Sequence, residues 1–414
     1  MPKTLDAPPT RVPRSGWLLG PALVAGIAYL DPGNVASNMS AGAEFGFLLV
    51  WVVVLANLMA WLVQYLSAKL GIVTGQSLAE LIGARMRRRP ARIAYWLQAE
   101  LVVMATDIAE VIGGAIALHL LFGVPLMLGG LITGVVSLGL LTLASRRGIR
   151  PFQRVMIGMV VIIAIGFSAG MLLAPPDAGD VIGGLVPRFE GSGSVLLAAS
   201  ILGATVMPHA IYAHSALVRD RFGADHGSRP AVGKLLRATR WDVSIAMIAA
   251  GSVNLCMLLL AATHLAGVEG TDTIEGAHAA LSAAMGPVIA TLFAVGLLAS
   301  GLASTSVGAY AGADVMHGLL KVDVPVLLRR TITLIPAIIV LGLDIDPTFA
   351  LVLSQVVLSF GIPFAVIPLV RLTSRRDVMG AQRNHVVTSA LGLLVAAALI
   401  ALNVMLLWLT FSGG

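Results

Sequence analysis

The sequence predicts an all-α integral membrane protein: two inverted repeats of five spanning helices, then an eleventh helix, with the first and sixth spans broken at mid-membrane. Three observations predict it. The 414 residues are 57% hydrophobic and only 12% charged, with a mean hydropathy of +0.92, whereas soluble domains carry about 25% charged residues. Apolar runs of spanning length recur along the chain. Asp31-Pro32-Gly33-Asn34 interrupts the first run, and Met207-Pro208-His209 interrupts the sixth.

The runs cover 17–44, 47–71, 92–120, 124–145, 152–175, 193–219, 241–266, 286–318, 325–343, 347–372 and 386–411. The longest gaps, 72–91, 176–192, 220–240 and 267–285, read as loops. This divides the chain into a tail (1–16), a first repeat (17–175), a second repeat (193–372) and a final helix (386–411). The N-terminal stretch is polar and proline-rich, and it lacks the pattern of a signal peptide. The single cysteine, Cys256, lies in an apolar run, so disulfides are not expected.

Loop charges set the orientation. With the N-terminus cytoplasmic, every Lys and Arg except Arg188 falls inside or at an inner helix end. The inner set includes Arg85 to Arg92, Arg146, Arg147, Arg150, the stretch from Arg219 to Arg240, and Arg371 to Arg383. Asp177, Asp180, Glu190, Glu269, Asp272, Glu275, Asp344 and Asp346 fall outside. The expected placement is a bacterial cytoplasmic membrane, with eleven spans and the C-terminus outside. The net charge of +6 is thereby explained without nucleic acid.

A carboxylate at mid-bilayer costs from about 3 to well over 10 kcal/mol. Asp31 therefore needs a purpose. Pro32 removes an amide donor and Gly33 adapts to almost any backbone angle, so the helix should break and free polar backbone. The run Ala204-Thr205-Val206-Met207-Pro208-His209 repeats the pattern in a span of opposite direction. Two such breaks in inverted halves are the mark of a secondary transporter whose site lies between them. Gly33 with Pro32, and Gly203 with Pro208, are the expected hinges, and motion of 17–30 would open the inner side.

The side chains at the breaks are a carboxylate (Asp31), a carboxamide (Asn34), a thioether (Met207) and an imidazole (His209). Oxygen donors with one sulfur favour Mn²⁺, Fe²⁺ or Co²⁺ over Mg²⁺ and Ca²⁺. On the third span Glu100, Asp107 and Glu110 share one face, since seven- and three-residue spacings align on a helix. Three carboxylates there should turn inward and suit a proton relay, with Arg329 and Arg330 as the nearest counter-cations by position. His209 is read as a proton carrier before a metal ligand, and His214 as structural. Asn57 and Gln64, seven apart, and Asn254 either line the outer vestibule or hydrogen-bond between helices. Asp314 should cap or pair with a loop cation. Gly296, Ser300, Ser304, Gly308 and Gly312 form a close-packing stripe. No nucleotide-binding motif is found, so ion gradients would drive any transport.

The segments Gly26-Ile27-Ala28-Tyr29-Leu30-Asp31-Pro32-Gly33-Asn34 and Ala204 to His209 resemble the Nramp (natural resistance-associated macrophage protein) divalent metal transporters. Supporting similarity runs through Glu100 to Glu110, Arg329-Arg330 and Ser354-Gln355. The resemblance implies a LeuT-type fold and proton-coupled uptake of Mn²⁺ or Fe²⁺, with Co²⁺ and Cd²⁺ served by the same donors. It implies metal ligation by Asp31, Asn34, Met207 and the Ala204 carbonyl, joined on occlusion by the Ala28 carbonyl and Gln355. It also implies a proton path through Asp31, His209, Asp107, Glu110 and Arg330, with Glu100 and Arg329 beyond them. The metal is substrate and H⁺ the coupling ion; no resident cofactor, nucleotide or nucleic-acid partner is expected. The oligomeric state stays open, with a monomer as the expectation. The competing readings are an amino-acid or organic-cation transporter on the same fold, and a metal channel or sensor without proton coupling. An enzyme is not expected, because no nucleophile–base pair emerges.

Overall fold

The computed structural model describes residues 20–147, 149–222, 232–343 and 345–412, and among them regular structure is entirely helical. In chain order the helices are α1 (Pro21–Gly26), α2 (Pro32–Phe45), α3 (Val50–Thr74), α4 (Leu78–Arg85), α5 (Arg89–Phe122), α6 (Leu126–Arg147), α7 (Ile149–Leu173), α8 (Ala178–Gly183), α9 (Gly191–Thr205), α10 (Pro208–Phe222), α11 (Val232–His264), α12 (Ile274–Met285), α13 (Pro287–Leu320), α14 (Val326–Gly342), α15 (Pro347–Ser374), α16 (Arg376–Met379) and α17 (Val386–Ser412). A 3-10 turn, Ile27–Leu30, follows α1. The tail and its cations Lys3, Arg11 and Arg14, the stretch 17–19, His226 and Asp344 lie outside the described residues, as do the side chains of Arg146, Arg147 and Arg150.

Both breaks fall where the prolines put them. Asp31 turns to an extended backbone (φ −76, ψ 164) and becomes the N-cap of α2, accepting from the Asn34 amide. Pro32 takes the first helical position, where its missing N–H costs nothing. In the sixth run α9 ends at Thr205, Val206 and Met207 bridge the gap, and Pro208 opens α10. Helices cover every one of the apolar runs read from the sequence.

Among the described residues, seven stretches are long and apolar enough to cross a membrane, the longest being Pro32–Thr74; Pro21–Leu30, Leu126–Leu140 and Ile157–Leu173 are shorter apolar helices. Leu58, Leu172 and Phe411 are among the many large apolar side chains left exposed, as a lipid-facing surface requires.

The gaps expected to be loops hold short helices instead. α4 occupies 72–91, α8 occupies 176–192 and α12 occupies 267–285. The first has a readable cause: Ser77 and Glu80 form a capping box, with the Ser77 hydroxyl accepting from the Glu80 amide and the Glu80 carboxylate accepting from the Ser77 amide. Thr273 and Asp177 cap α12 and α8 with a single bond each, accepting from the Gly276 and Gly179 amides.

Around the breaks, long helices form the support. α13 packs along α5 through Gly301, where a Cβ would stand 2.9 Å from the Glu110 carbonyl oxygen. It meets α7 where Gly166 faces Gly296. α15 closes against α9, α11 against α2, and α10 against α3.

Candidate functional site

The two breaks meet, and a carboxamide joins them. Asn34 donates through Nδ2 to Asp31 Oδ1 (3.0 Å) on its own helix and to the Ala204 carbonyl oxygen (2.8 Å) at the end of α9. Its backbone amide also donates to Asp31 Oδ1 (2.9 Å). From α15, Gln355 Nε2 donates to the other carboxylate oxygen, Asp31 Oδ2 (3.2 Å). Asp31, Asn34, Ala28, Ala204, Met207 and Gln355 are all fully buried. The Gln355 Oε1 atom has no hydrogen-bond partner, a costly state for a buried acceptor. Among the described residues there is no cluster of three or more His, Cys, Asp and Glu side chains. The donors gathered here are instead one carboxylate, two carboxamides, a thioether and freed carbonyls.

The structure adds partners that the sequence reading missed or misplaced. Asn254 of α11 does not line an outer vestibule; it is buried and donates to the Tyr29 carbonyl (3.1 Å) and to Asn34 Oδ1 (3.4 Å). Thr205 donates to the same Asn34 oxygen (3.4 Å). Ser300 of α13 donates to the Leu30 carbonyl, so the backbone freed at the first break is taken up by neighbouring helices. Thr205 was findable as the residue ending α9, but Asn254 and Ser300 carry no local signal.

Gln64 takes the interhelical one of its two readings. It is buried in a polar chain, donating to the Tyr29 hydroxyl and accepting at Oε1 from His214 Nδ1 (2.7 Å). His214 is thus an interhelical partner, as expected. Asn57 faces Gly251 and lines a crevice of about 200 Å³ between α3 and α11, whose rim residues Leu58 and Ile248 are 62% and 67% exposed.

Gly33 and Gly203 lie inside helices, and neither has a positive φ. What requires glycine is space. A Cβ at Gly33 would stand 1.7 Å from Gln355 Nε2, and one at Gly203 would stand 1.9 Å from the Gln355 carbonyl oxygen. Pro32 packs against Gly113 of α5, where a Cβ would lie 2.1 Å from the proline ring.

Along α5 the acidic face turns inward as expected. Arg330 of α14 is fully buried and reaches Asp107 (2.5 Å) and Glu110 (3.5 Å) through Nη1, with Ser137 (3.4 Å) and Thr305 (3.3 Å) beside it. Arg329 pairs with Glu100 (2.7 Å). Two carboxylates sharing one buried guanidinium leave room for a proton in the group. Glu110 has both carboxylate oxygens, and Asp107 one, without a hydrogen-bond partner. The small-residue stripe of α13 serves this chain as well as packing: a Cβ at Gly312 would strike the Arg329 guanidinium at 2.1 Å, and one at Gly308 would touch Glu110. His209 places Nδ1 3.2 Å from the Thr106 hydroxyl and leaves Nε2 unpartnered. Near the C-terminal end of α13 Asp314 pairs with Arg219 (2.9 Å), which also holds Glu80 (3.0 Å).

A family model described as natural resistance-associated macrophage protein-like matches residues 22–409. The chain belongs to the Nramp family. It is 61% identical over 405 residues to the divalent metal cation transporter MntH of Mycobacterium tuberculosis, covering 98% of this chain and 94% of that protein. It is 45% identical to the Bacillus subtilis transporter of the same name, over 95% and 92% of the two chains. The manganese transporter of Eremococcus coleocola, solved with an aromatic bis-isothiourea compound, superposes with a TM-score of 0.84 at 33% identity, over 97% of this chain and 88% of that one. The Nramp fold reaches further still. MhsT, solved with L-phenylalanine, matches 97% of this chain with a TM-score of 0.60 at 14% identity, a likeness of fold alone. The LeuT-type architecture that the resemblance implies therefore holds for this Nramp chain, and its relatives are named as transporters rather than enzymes.

Proposed function

We propose that this protein is a proton-coupled importer of divalent transition metal ions, Mn²⁺ and Fe²⁺ foremost, working by alternating access in a bacterial cytoplasmic membrane. The observation that carries the proposal is the bonding of Asp31, Asn34, the Ala204 carbonyl and Gln355 to one another across two helix breaks, with Met207 buried within the second break. Relatives named as divalent metal cation transporters and a manganese transporter structure support it.

In this reading the metal binds between the half-helices. The Asp31 carboxylate supplies charge, Asn34 and the Ala204 carbonyl supply neutral oxygens, and the Met207 sulfur disfavours Ca²⁺ and Mg²⁺. The hydrogen bonds now joining Asn34 to Asp31 and Ala204 are exchanged for metal bonds, so the donors are already gathered before the ion arrives. Gln355 closes the site from α15, its unpartnered Oε1 being free to ligate, and the Ala28 carbonyl joins on occlusion. The proton leaves Asp31 when the metal binds and travels by way of His209, Asp107 and Glu110, whose carboxylates the permanently charged Arg330 holds in place. Glu100, held by Arg329, takes it on toward the cytoplasm. The chain crosses the membrane eleven times, with the N-terminus inside, and halves 17–175 and 193–372 rock about Gly33, Pro32, Gly203 and Pro208.

The test is uptake of Mn²⁺ into proteoliposomes with internal pH recorded at several imposed voltages. The expected result is saturable uptake with concurrent acidification, lost in Asp31→Ala. Metal entry without proton movement would favour a channel, and normal uptake by Asp31→Ala would remove the central site.

A further inference from the structure

α1 is made of Pro, Ala, Leu, Val and Gly, so only its backbone can bond to anything outside itself. At the break its continuation is tied by Asn254 to the Tyr29 carbonyl, by Ser300 to the Leu30 carbonyl and by Gln64 to the Tyr29 hydroxyl. At the other end one side chain holds it. Asp242 of α11, 3% exposed, accepts from the Gly20 amide at Oδ1 (3.0 Å) and from the Ala22 amide at Oδ2 (2.9 Å). The local sequence fits this grip. Pro21, between the two donors, has no N–H to orphan, and Gly20 has φ 137, a conformation L side chains rarely adopt. Both amides thereby converge on one carboxylate. Farther along α1, Gly26 packs on Ala246 of the same α11.

We propose that Asp242 is a positioning residue of the transport cycle, a latch that pins α1 to α11 while the inner side is closed and lets go when α1 swings out. The inference rests on the alternating-access reading above. α11 then holds the half-helix at both ends with unequal grips. The Asn254 bond lies deep beside the site, where a freed carbonyl finds no water. The Asp242 bonds lie at the membrane edge, where released amides and carboxylate can be hydrated, so opening there is reversible. Arg221, at the end of α10, attracts the same carboxylate.

The experiment uses the full chain with Cys256→Ala and either of two reporters, Ala25→Cys on α1 or Ala199→Cys on α9, both buried. Labelling by a membrane-impermeant maleimide is followed from the inner side for Ala25→Cys and from the outer side for Ala199→Cys, without metal. Asp242→Ala should raise the inner rate about tenfold, the order expected for losing hydrogen bonds to a charged group, while the outer rate falls. Gly20→Ala attacks the same contact from α1 and should act in the same direction. The double variant should go no further than the stronger single one, and Asp242→Glu should recover part of the closed state. Unchanged inner labelling in both single variants overturns the latch. A rise at both reporters also overturns it, since that is general loosening. Because labelling needs no metal, a parent chain that labels as expected but imports no metal would overturn the functional reading and leave the latch standing.

Discussion

Replacing Gly203 by alanine would place a methyl carbon 1.9 Å from the Gln355 carbonyl oxygen, 2.9 Å from its carbon and 3.0 Å from the Ser359 amide nitrogen. All three atoms belong to the backbone of α15, so no rotamer change relieves the clash. Ordinary contact begins near 3.4 Å, and α9 and α15 must part by about 1.5 Å. Overpacking of this kind costs about 1–3 kcal/mol. Borne by the closed arrangement alone, that is a shift of roughly 5- to 150-fold toward states in which the two helices are apart. Gly33→Ala is the internal control. Its methyl meets only the Gln355 side chain, which can swing away at the loss of its bond to Asp31. We expect Gly203→Ala to lower the rate of metal uptake and to lengthen the α9–α15 distance measured by paired spin labels. Gly33→Ala should weaken Mn²⁺ binding about tenfold, the worth of one charge-assisted hydrogen bond, with the distance unchanged. Wild-type uptake and an unchanged distance in Gly203→Ala would refute the claim that this close approach governs closure.

Other substitutions probe the donors and the acid–base chain. Met207→Ala should keep Mn²⁺ transport measurable but admit Ca²⁺ or Mg²⁺, read by competition in proteoliposomes; unchanged selectivity would count against a thioether ligand. Asn254→Ala strands the Tyr29 carbonyl and should lower thermal stability by about 1–3 kcal/mol as well as slowing uptake, checked by melting with and without Mn²⁺. Glu110→Gln should flatten the pH and voltage dependence of uptake, and a wild-type profile would remove it from the proton path. Arg330→Met leaves Asp107 and Glu110 buried without their cation and should cost about 3–5 kcal/mol; proper folding with normal proton entry would argue against the shared-guanidinium arrangement.

The breaks were legible because their cause is local. Proline cannot donate, and a carboxylate, an amide and a thioether beside it have few reasons to be in lipid. The inward acidic face of α5 was legible for a similar reason: helical spacing alone places Glu100, Asp107 and Glu110 together. The capping box before α4 is a local signal too, although it went unread. Asn254 and Gln64 were left between vestibule and interhelical bond because a lone carboxamide on an apolar helix has the same local pattern whether it faces water or a neighbour's carbonyl. Gly33 and Gly203 were noticed for their backbone freedom, yet the partner that requires them, Gln355, lies far along the chain.

Sequence by itself determined where the chain stops being helical and which ligand types stand there, since backbone chemistry and side-chain identity need no partner. It also determined the membrane class, because apolar length and charge segregation are properties of single segments. Only the tertiary structure decided what faces the breaks: that Asn34 joins Asp31 to Ala204, that Arg330 sits between two carboxylates, and that Asp242 grips the start of α1. Each of these joins residues on different helices, and which helices become neighbours is settled by close packing, in which a single missing Cβ decides how near two of them can come.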